Sequence, residues 1–107
     1  MDSQTYELLR CHTDDDRIPI QEWTDSLDAG SRARVRIQID KMEDGNFGDI
    51  WPIGDGASET RLDFGPGYRI YFALQGKVVH LLGGGTKKRQ QVDIDAAKKL
   101  WKSHAKN

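Results

Sequence analysis

Apolar and polar residues alternate from Tyr6 to His12, with Tyr6, Leu8 and Arg10 on one side and Leu9 and Cys11 on the other. That period of two predicts a short strand, ended by the acidic run Asp14-Asp15-Asp16. The spacing then lengthens. Ile20, Trp23 and Leu27 recur at i, i+3 and i+7 behind Pro19, whose missing N–H costs nothing in a first helical turn. Gly30 reads as the stop of that helix and Ser31 as the cap of the next. The second helix carries Val35, Ile39 and Met42 on one face and Arg32, Arg34 and Arg36 elsewhere, until Gly45-Asn46 closes it. Residues 19–44 are therefore expected to form a helical hairpin.

From Phe47 onward glycines divide short alternating segments, Asp49–Ile53, Ser58–Phe64, Tyr68–Leu74 and Lys77–Leu82. These predict an antiparallel meander joined by tight turns. Gly83-Gly84-Gly85 is expected to end the sheet. A last helix should begin near Asp93 as N-cap and carry Ile94, Ala97 and Trp101 on one face. Its Lys98, Lys99 and Lys102 lie toward the C-terminus, where cations suit the helix dipole. The expected order is β-α-α-β-β-β-β-α, an α+β fold in one domain over residues 1–107, with neither repeat nor linker.

Register follows from the turns. A two-residue turn at Gln75-Gly76 would set Tyr71 opposite His80, Ile70 opposite Leu81 and Phe72 opposite Val79. Directly opposed residues share a face, so Ile70, Phe72, Val79 and Leu81 make the core face and Arg69, Tyr71 and His80 share the other. A turn at Gly65-Pro66-Gly67 would add Arg61 opposite Tyr71 and Asp63 opposite Arg69, with Lys87, Lys88 and Arg89 just beyond the last strand. Cations around a tyrosine and a histidine make a surface that holds a phosphodiester and stacks a base. A plain cross-strand ion pair between Arg69 and Asp63, a space-filling His80 and a solvated Lys87-Lys88-Arg89 loop are the structural alternatives.

Charge sharpens this picture. Residues 1–67 hold 7 basic and 15 acidic side chains, whereas residues 68–107 hold 9 basic and 2 acidic. A chain whose net charge is only −1 can thus present one basic face to a polyanion. The apolar fraction of 36% is low and the charged fraction of 31% is high, which suits a small chain that leans on a partner. The lone Cys11 has no second thiol to pair with, Met1-Asp2-Ser3-Gln4 shows no secretory pattern, and no apolar run approaches a membrane span. A cytoplasmic protein is expected. His12 and His104 lack neighbours at ligand spacing, so neither metal nor other cofactor is expected. Gly83 to Lys88 lacks the Gly-Lys-Ser/Thr ending of a phosphate loop.

Three stretches carry a family resemblance: Gly56 to Phe72 with its Tyr68-Arg69-Ile70-Tyr71 core, Leu81-Leu82-Gly83-Gly84-Gly85-Thr86-Lys87, and Gln90 with Asp93-Ile94-Asp95-Ala96-Ala97-Lys98. Together they resemble the "addiction module killer protein" group, a HigB-like branch of the RelE/ParE toxin superfamily. The resemblance spans roughly residues 20–101 and is most specific in the second half. It implies a RelE/ParE-like fold and a type II toxin that cleaves mRNA on the ribosome as a metal-independent endoribonuclease. The implied partner is a cognate antitoxin, a small helix-turn-helix protein, with DNA reached only through that antitoxin and no membrane involved. It implies Arg69 as the sheet arginine and Lys87 as a second basic residue. On that reading Arg69 would clamp the scissile phosphate, Lys87 or Lys88 would move a proton, and Arg61, Tyr71, His80 and Arg89 would bind RNA. No tyrosine follows Tyr71, whereas RelE toxins use one near their C-terminus, so the proton donor and acceptor stay open. A ParE-like gyrase poison and an inactive toxin-like module that only binds its antitoxin are the alternatives.

Overall fold

The computed structural model describes residues 5–105. The Met1–Gln4 segment, read above for a signal, lies outside that range. Elements follow the order β1 (Glu7–Arg10), α1 (Pro19–Ser26), α2 (Ala29–Glu43), β2 (Asp49–Gly54), β3 (Ala57–Arg61), β4 (Tyr68–Gln75) and β5 (Val78–Thr86). A single 3₁₀ turn, Lys87–Arg89, then leads into α3 (Gln90–Ala105). The chain is α+β, built on one five-stranded mixed sheet ordered β1-β5-β4-β3-β2, with β1 parallel to β5 and every other pair antiparallel.

Local chemistry explains the boundaries. Pro19 opens α1 as expected, but the second helix starts one turn earlier than Gly30 and Ser31 suggested. Asp28 is its N-cap, accepting from the Ser31 N–H at 3.1 Å, so Gly30 lies inside the first turn and Ser31 is the residue capped. The C-terminus of α2 closes on Gly45, whose φ of 84° is left-handed. The Gly45 N–H reaches Met42 O and the Asn46 N–H reaches Lys41 O, both at 3.0 Å, which satisfies two carbonyls that the helix leaves open.

The sheet has apolar cover on both faces. The first face packs Ile70, Phe72, Val79 and Leu81 against Ile20 of α1 and Val35, Ile39 and Met42 of α2. The second packs Tyr71, Ala73, Leu82, Ala57 and Cys11 against Ala97 and Leu100 of α3. Residues Tyr68 to Ala73 of β4 are consequently buried without alternation, as in a central strand covered on both sides. The stripe Ile94, Ala97 and Trp101 that predicted α3 needs an apolar partner. The helical hairpin already occupies the first face, so α3 takes the second.

Both hairpin registers differ from the sequence expectation by one pairing step. The β4–β5 turn is Gly76-Lys77, so Gln75 pairs with Val78, Ala73 with His80 and Phe72 with Leu81. Beyond Phe72 a bulge inserts Leu82, and Tyr71 pairs with Gly83 rather than His80. On the other side Arg61 pairs with Arg69 and Glu59 with Tyr71. Up to the bulge each slip moves the pairing by a full period of two, so Ile70, Phe72, Val79 and Leu81 keep the core face while their partners change.

The triple glycine does not end the sheet. Gly83, Gly84 and Gly85 pair with Tyr71, Ile70 and Arg69, and β5 continues to Thr86. Their role is close approach: a Cβ on Gly84 would lie within the Trp23 ring of α1, and one on Gly85 would lie against the Asp93 carboxylate of α3. Helices press on the strand from both sides at this point. Asp93, expected as the N-cap of the last helix, instead sits in the first turn of α3, facing the sheet over Gly85.

Candidate functional site

The sheet's second face gathers polar residues where β3, β4 and β5 meet the start of α3. Glu59, 1% exposed, is the hub. Its Oε2 accepts from Arg61 Nε at 2.6 Å, and its two oxygens lie 3.1 and 3.0 Å from the donating Gln90 Nε2. Arg69 Nε stands 3.7 Å from the same Oε2, an ion pair longer than a hydrogen bond. Arg69 Nη1 donates to Gly67 O at 2.6 Å and so fixes the β3–β4 turn.

This corrects the expected surface in three respects. Asp63 does not pair with Arg69; it falls in the bend after β3 and is exposed, and the carboxylate beside Arg69 is Glu59. Arg69 is 5% exposed, so it is a buried arginine rather than an open phosphate clamp. Tyr71 and His80 are covered by α3, so neither offers an open stacking face. The sequence pattern assigns α3 to neither face of the sheet; in the structure α3 covers this one.

Burial governs the chemistry of the covered groups. The Tyr71 hydroxyl is pushed well above its ordinary pKa, first by burial and then by the Glu59 and Asp93 carboxylates. Burial raises Asp93, opposed by Arg89. His80 is lowered by burial and by His104, opposed by Glu7, which disfavours the protonated imidazole. It lies against Trp101, with ring centres 4.9 Å apart, and away from the Glu59 hub. Arg69 Nε, Tyr71 Oη, both His80 ring nitrogens and Asp93 Oδ2 are buried without a hydrogen-bond partner, and all five lie between the sheet and α3. Among the described residues no three His, Cys, Asp or Glu side chains are arranged to hold a metal ion.

The accessible cations lie at the rim of this cluster. Lys87, Lys88 and Arg89 are all exposed on the 3₁₀ turn that follows β5. That turn abuts the β3–β4 loop, because the Lys87 N–H donates to Pro66 O at 3.4 Å and a Cβ on Gly67 would stand 3.1 Å from Lys87 Cβ and 3.0 Å from Arg69 Nη1. Arg61, half-buried, completes the rim from β3. The structure thus brings Arg61, Arg69, Lys87 and the Lys88-Arg89 pair to one end of the sheet and leaves His80 outside.

Two residues of this site escaped the sequence reading. Glu59 was hidden by the register slip, although its position two residues before Arg61 on a strand was the available signal. Trp51, on edge strand β2, has the Arg61 guanidinium 4.2 Å from its ring centre and remains 46% exposed. The β2–β3 register, which sets Trp51 opposite Glu59, brings it to the site.

A protein of Haemophilus influenzae described as uncharacterized is 40% identical to this chain over 85 residues, covering 78% of this chain and 86% of that protein. The chain belongs to the same family as that protein. No family model matches the chain, and no solved structure matches it. Among the described residues no helix is long and apolar enough to cross a membrane.

Proposed function

We propose that this chain is the toxin of a type II toxin–antitoxin pair, of the HigB-like branch of the RelE/ParE superfamily, acting in the cytoplasm as a ribosome-dependent mRNA endonuclease. The carrying observation is the exposed Lys87-Lys88-Arg89 turn locked onto the β3–β4 loop beside Arg61, with Arg69 beneath it. The superfamily resemblance and the order of elements along the chain support the same reading.

RNA carries its own nucleophile. The 2′-oxygen attacks the adjacent phosphorus and loses its proton, a new P–O2′ bond forms, and the P–O5′ bond breaks as the leaving oxygen gains a proton. An enzyme has to align that attack and stabilise the charge that builds on the phosphate. Arg61 and Arg89 supply guanidinium charge for the phosphate, and the proton has to be moved by another group. Lys87 or Lys88 moves the proton. Arg69 acts as a positioning residue: it holds the Gly67 carbonyl and the Glu59 carboxylate, and through them the loop and Arg61. A small helix-turn-helix antitoxin silences the chain by covering the rim.

Cleavage of a defined mRNA in a cell-free translation reaction tests this reading. Wild-type chain should cut within the translated region only while ribosomes translate it, and the triple variant Lys87→Ala, Lys88→Ala, Arg89→Ala should not. The burial of Tyr71 and His80 favours one second reading, an inactive relative that binds its antitoxin alone, since neither of these two side chains is open for acid–base work. Absence of cleavage by the wild type, with translation and gyrase supercoiling both unaffected, would establish that reading instead.

A further inference from the structure

Trp51 stands at the open end of a row of cross-strand neighbours, Trp51–Glu59–Tyr71, whose other end is buried beneath α3. Between this edge and the start of α3 lies a groove of about 230 Å³, walled by Trp51, Ile53, Glu59, Arg61, Gln90 and Ile94. That is below the 300–1,000 Å³ typical of drug-sized sites and suits one flat ring system. The groove has a stiff frame. The Arg61 guanidinium lies over Trp51 and is held from behind by Glu59, which Gln90 fixes in turn. A partner that stacks here therefore meets planar groups already in position, which lowers the ordering cost of binding.

We infer that Trp51 and Arg61 form a stacking platform for one base of single-stranded RNA, with the adjoining phosphates lying on the Lys87-Lys88-Arg89 turn. The identity of the strand as RNA rests on the nuclease reading; the platform itself rests on geometry. The charge of the buried Glu59 is engaged by Arg61, Gln90 and Arg69, and Arg89 immediately precedes Gln90, so the groove mouth favours a polyanion. Every base has a π-face, so a tryptophan–arginine pair accepts any of them when the strand is unpaired and its bases are free. A duplex keeps its bases inside the stack and does not fit.

The test uses the full chain and an eight-nucleotide oligoribonucleotide carrying a fluorophore, followed by anisotropy at fixed low salt. Trp51→Ala should weaken binding by about five- to a hundred-fold, and Trp51→Phe should recover most of the loss. Intrinsic tryptophan fluorescence should quench on RNA binding in the wild type and lose that quenching in Trp51→Phe, while circular dichroism melts verify that both variants fold. Equal affinity of Trp51→Ala and wild type, quenching that persists in Trp51→Phe, or no binding by the wild type would each overturn the platform. The same oligonucleotide as DNA serves as a comparison arm, and tighter Trp51-dependent binding of DNA would overturn the assignment to RNA. Trp51-dependent binding without mRNA cleavage would remove the nuclease reading and leave the platform standing. Cleavage with no dependence on Trp51 would do the reverse.

Discussion

Replacing Glu59 by Ala removes the carboxylate that holds three side chains. Glu59 and Arg69 are 1% and 6% exposed at their side chains, so the guanidinium left behind cannot be rescued by solvent as a surface ion would be. Breaking a buried pair from one side costs about 3–5 kcal/mol, because an uncompensated charge stays in a low-dielectric site. The Arg61 and Gln90 hydrogen bonds, at 2.6 and 3.0–3.1 Å, are lost together with it. For a domain near this size each kcal/mol moves Tm by about 4–8 °C, so Glu59→Ala should melt roughly 12 °C or more below the wild type. Removing both charges should be far milder, since replacing a buried pair by apolar side chains is often neutral. Urea titration of Glu59→Met, Arg69→Met and Glu59→Met/Arg69→Met tests this as a cycle, with Glu59→Ala measured beside it. Each single variant should lose several kcal/mol, and the double variant should lose less than the sum of the two. Additive losses, or a Glu59→Ala loss below about 1 kcal/mol, would refute the buried-pair argument. The cycle also bears on the proposed function, because a loss of activity in Arg69→Ala would follow from instability alone.

Other expectations follow from the covered second face and the tight strand crossing. Gly84→Ala and Gly85→Ala should each destabilise by about 1–3 kcal/mol or more in denaturant melts, since the added methyl meets the Trp23 ring or the Asp93 carboxylate. Gly76→Asn should cost far less, because that turn glycine, at φ 60°, has open space around it and asparagine tolerates the left-handed region. Asp93 is raised by burial, so the folded state holds its proton to higher pH than the unfolded state, and the resulting penalty appears as pH climbs from the unfolded to the folded pKa. Asp93→Asn should therefore gain stability over the wild type at neutral pH, with the gain shrinking toward about pH 3 in thermal melts. Burial pushes the Cys11 thiol up to about 11, so it should resist a thiol reagent at pH 8 in the native chain and react at once in denaturant.

The elements were legible because their signals are local. Pro19 opened α1, Gly45 closed α2, and the alternation around Ile70 and Phe72 assigned the core face correctly. The register was not, since Gln75-Gly76 and Gly76-Lys77 both satisfy a two-residue turn and only the bulge at Leu82 and the packing of both helices decide between them. The glycine triplet misled for a related reason: glycine signals a break in a strand pattern, whereas here it admits Trp23 and Asp93 from opposite faces. The site was half visible. Lys87, Lys88 and Arg89 lie in the basic stretch that the charge pattern marked and Arg61 shares their end of the sheet, paired with Arg69 rather than Tyr71, but the depth of Arg69, Tyr71 and His80 depends on which face α3 covers. An apolar stripe on a terminal helix shows that it must dock and not where.

On the proposed function, the Lys87-Lys88-Arg89 rim cuts mRNA on translating ribosomes. Mapping the 5′ ends of a reporter mRNA after brief expression of the chain, in cells without the proposed antitoxin, decides the matter. New ends should appear within the translated codons for the wild type and vanish for the Lys87→Ala/Lys88→Ala/Arg89→Ala variant, which should keep the wild-type melting curve because all three side chains are exposed. Identical patterns from the two proteins, or no new ends from the wild type, would rule out cleavage by this rim.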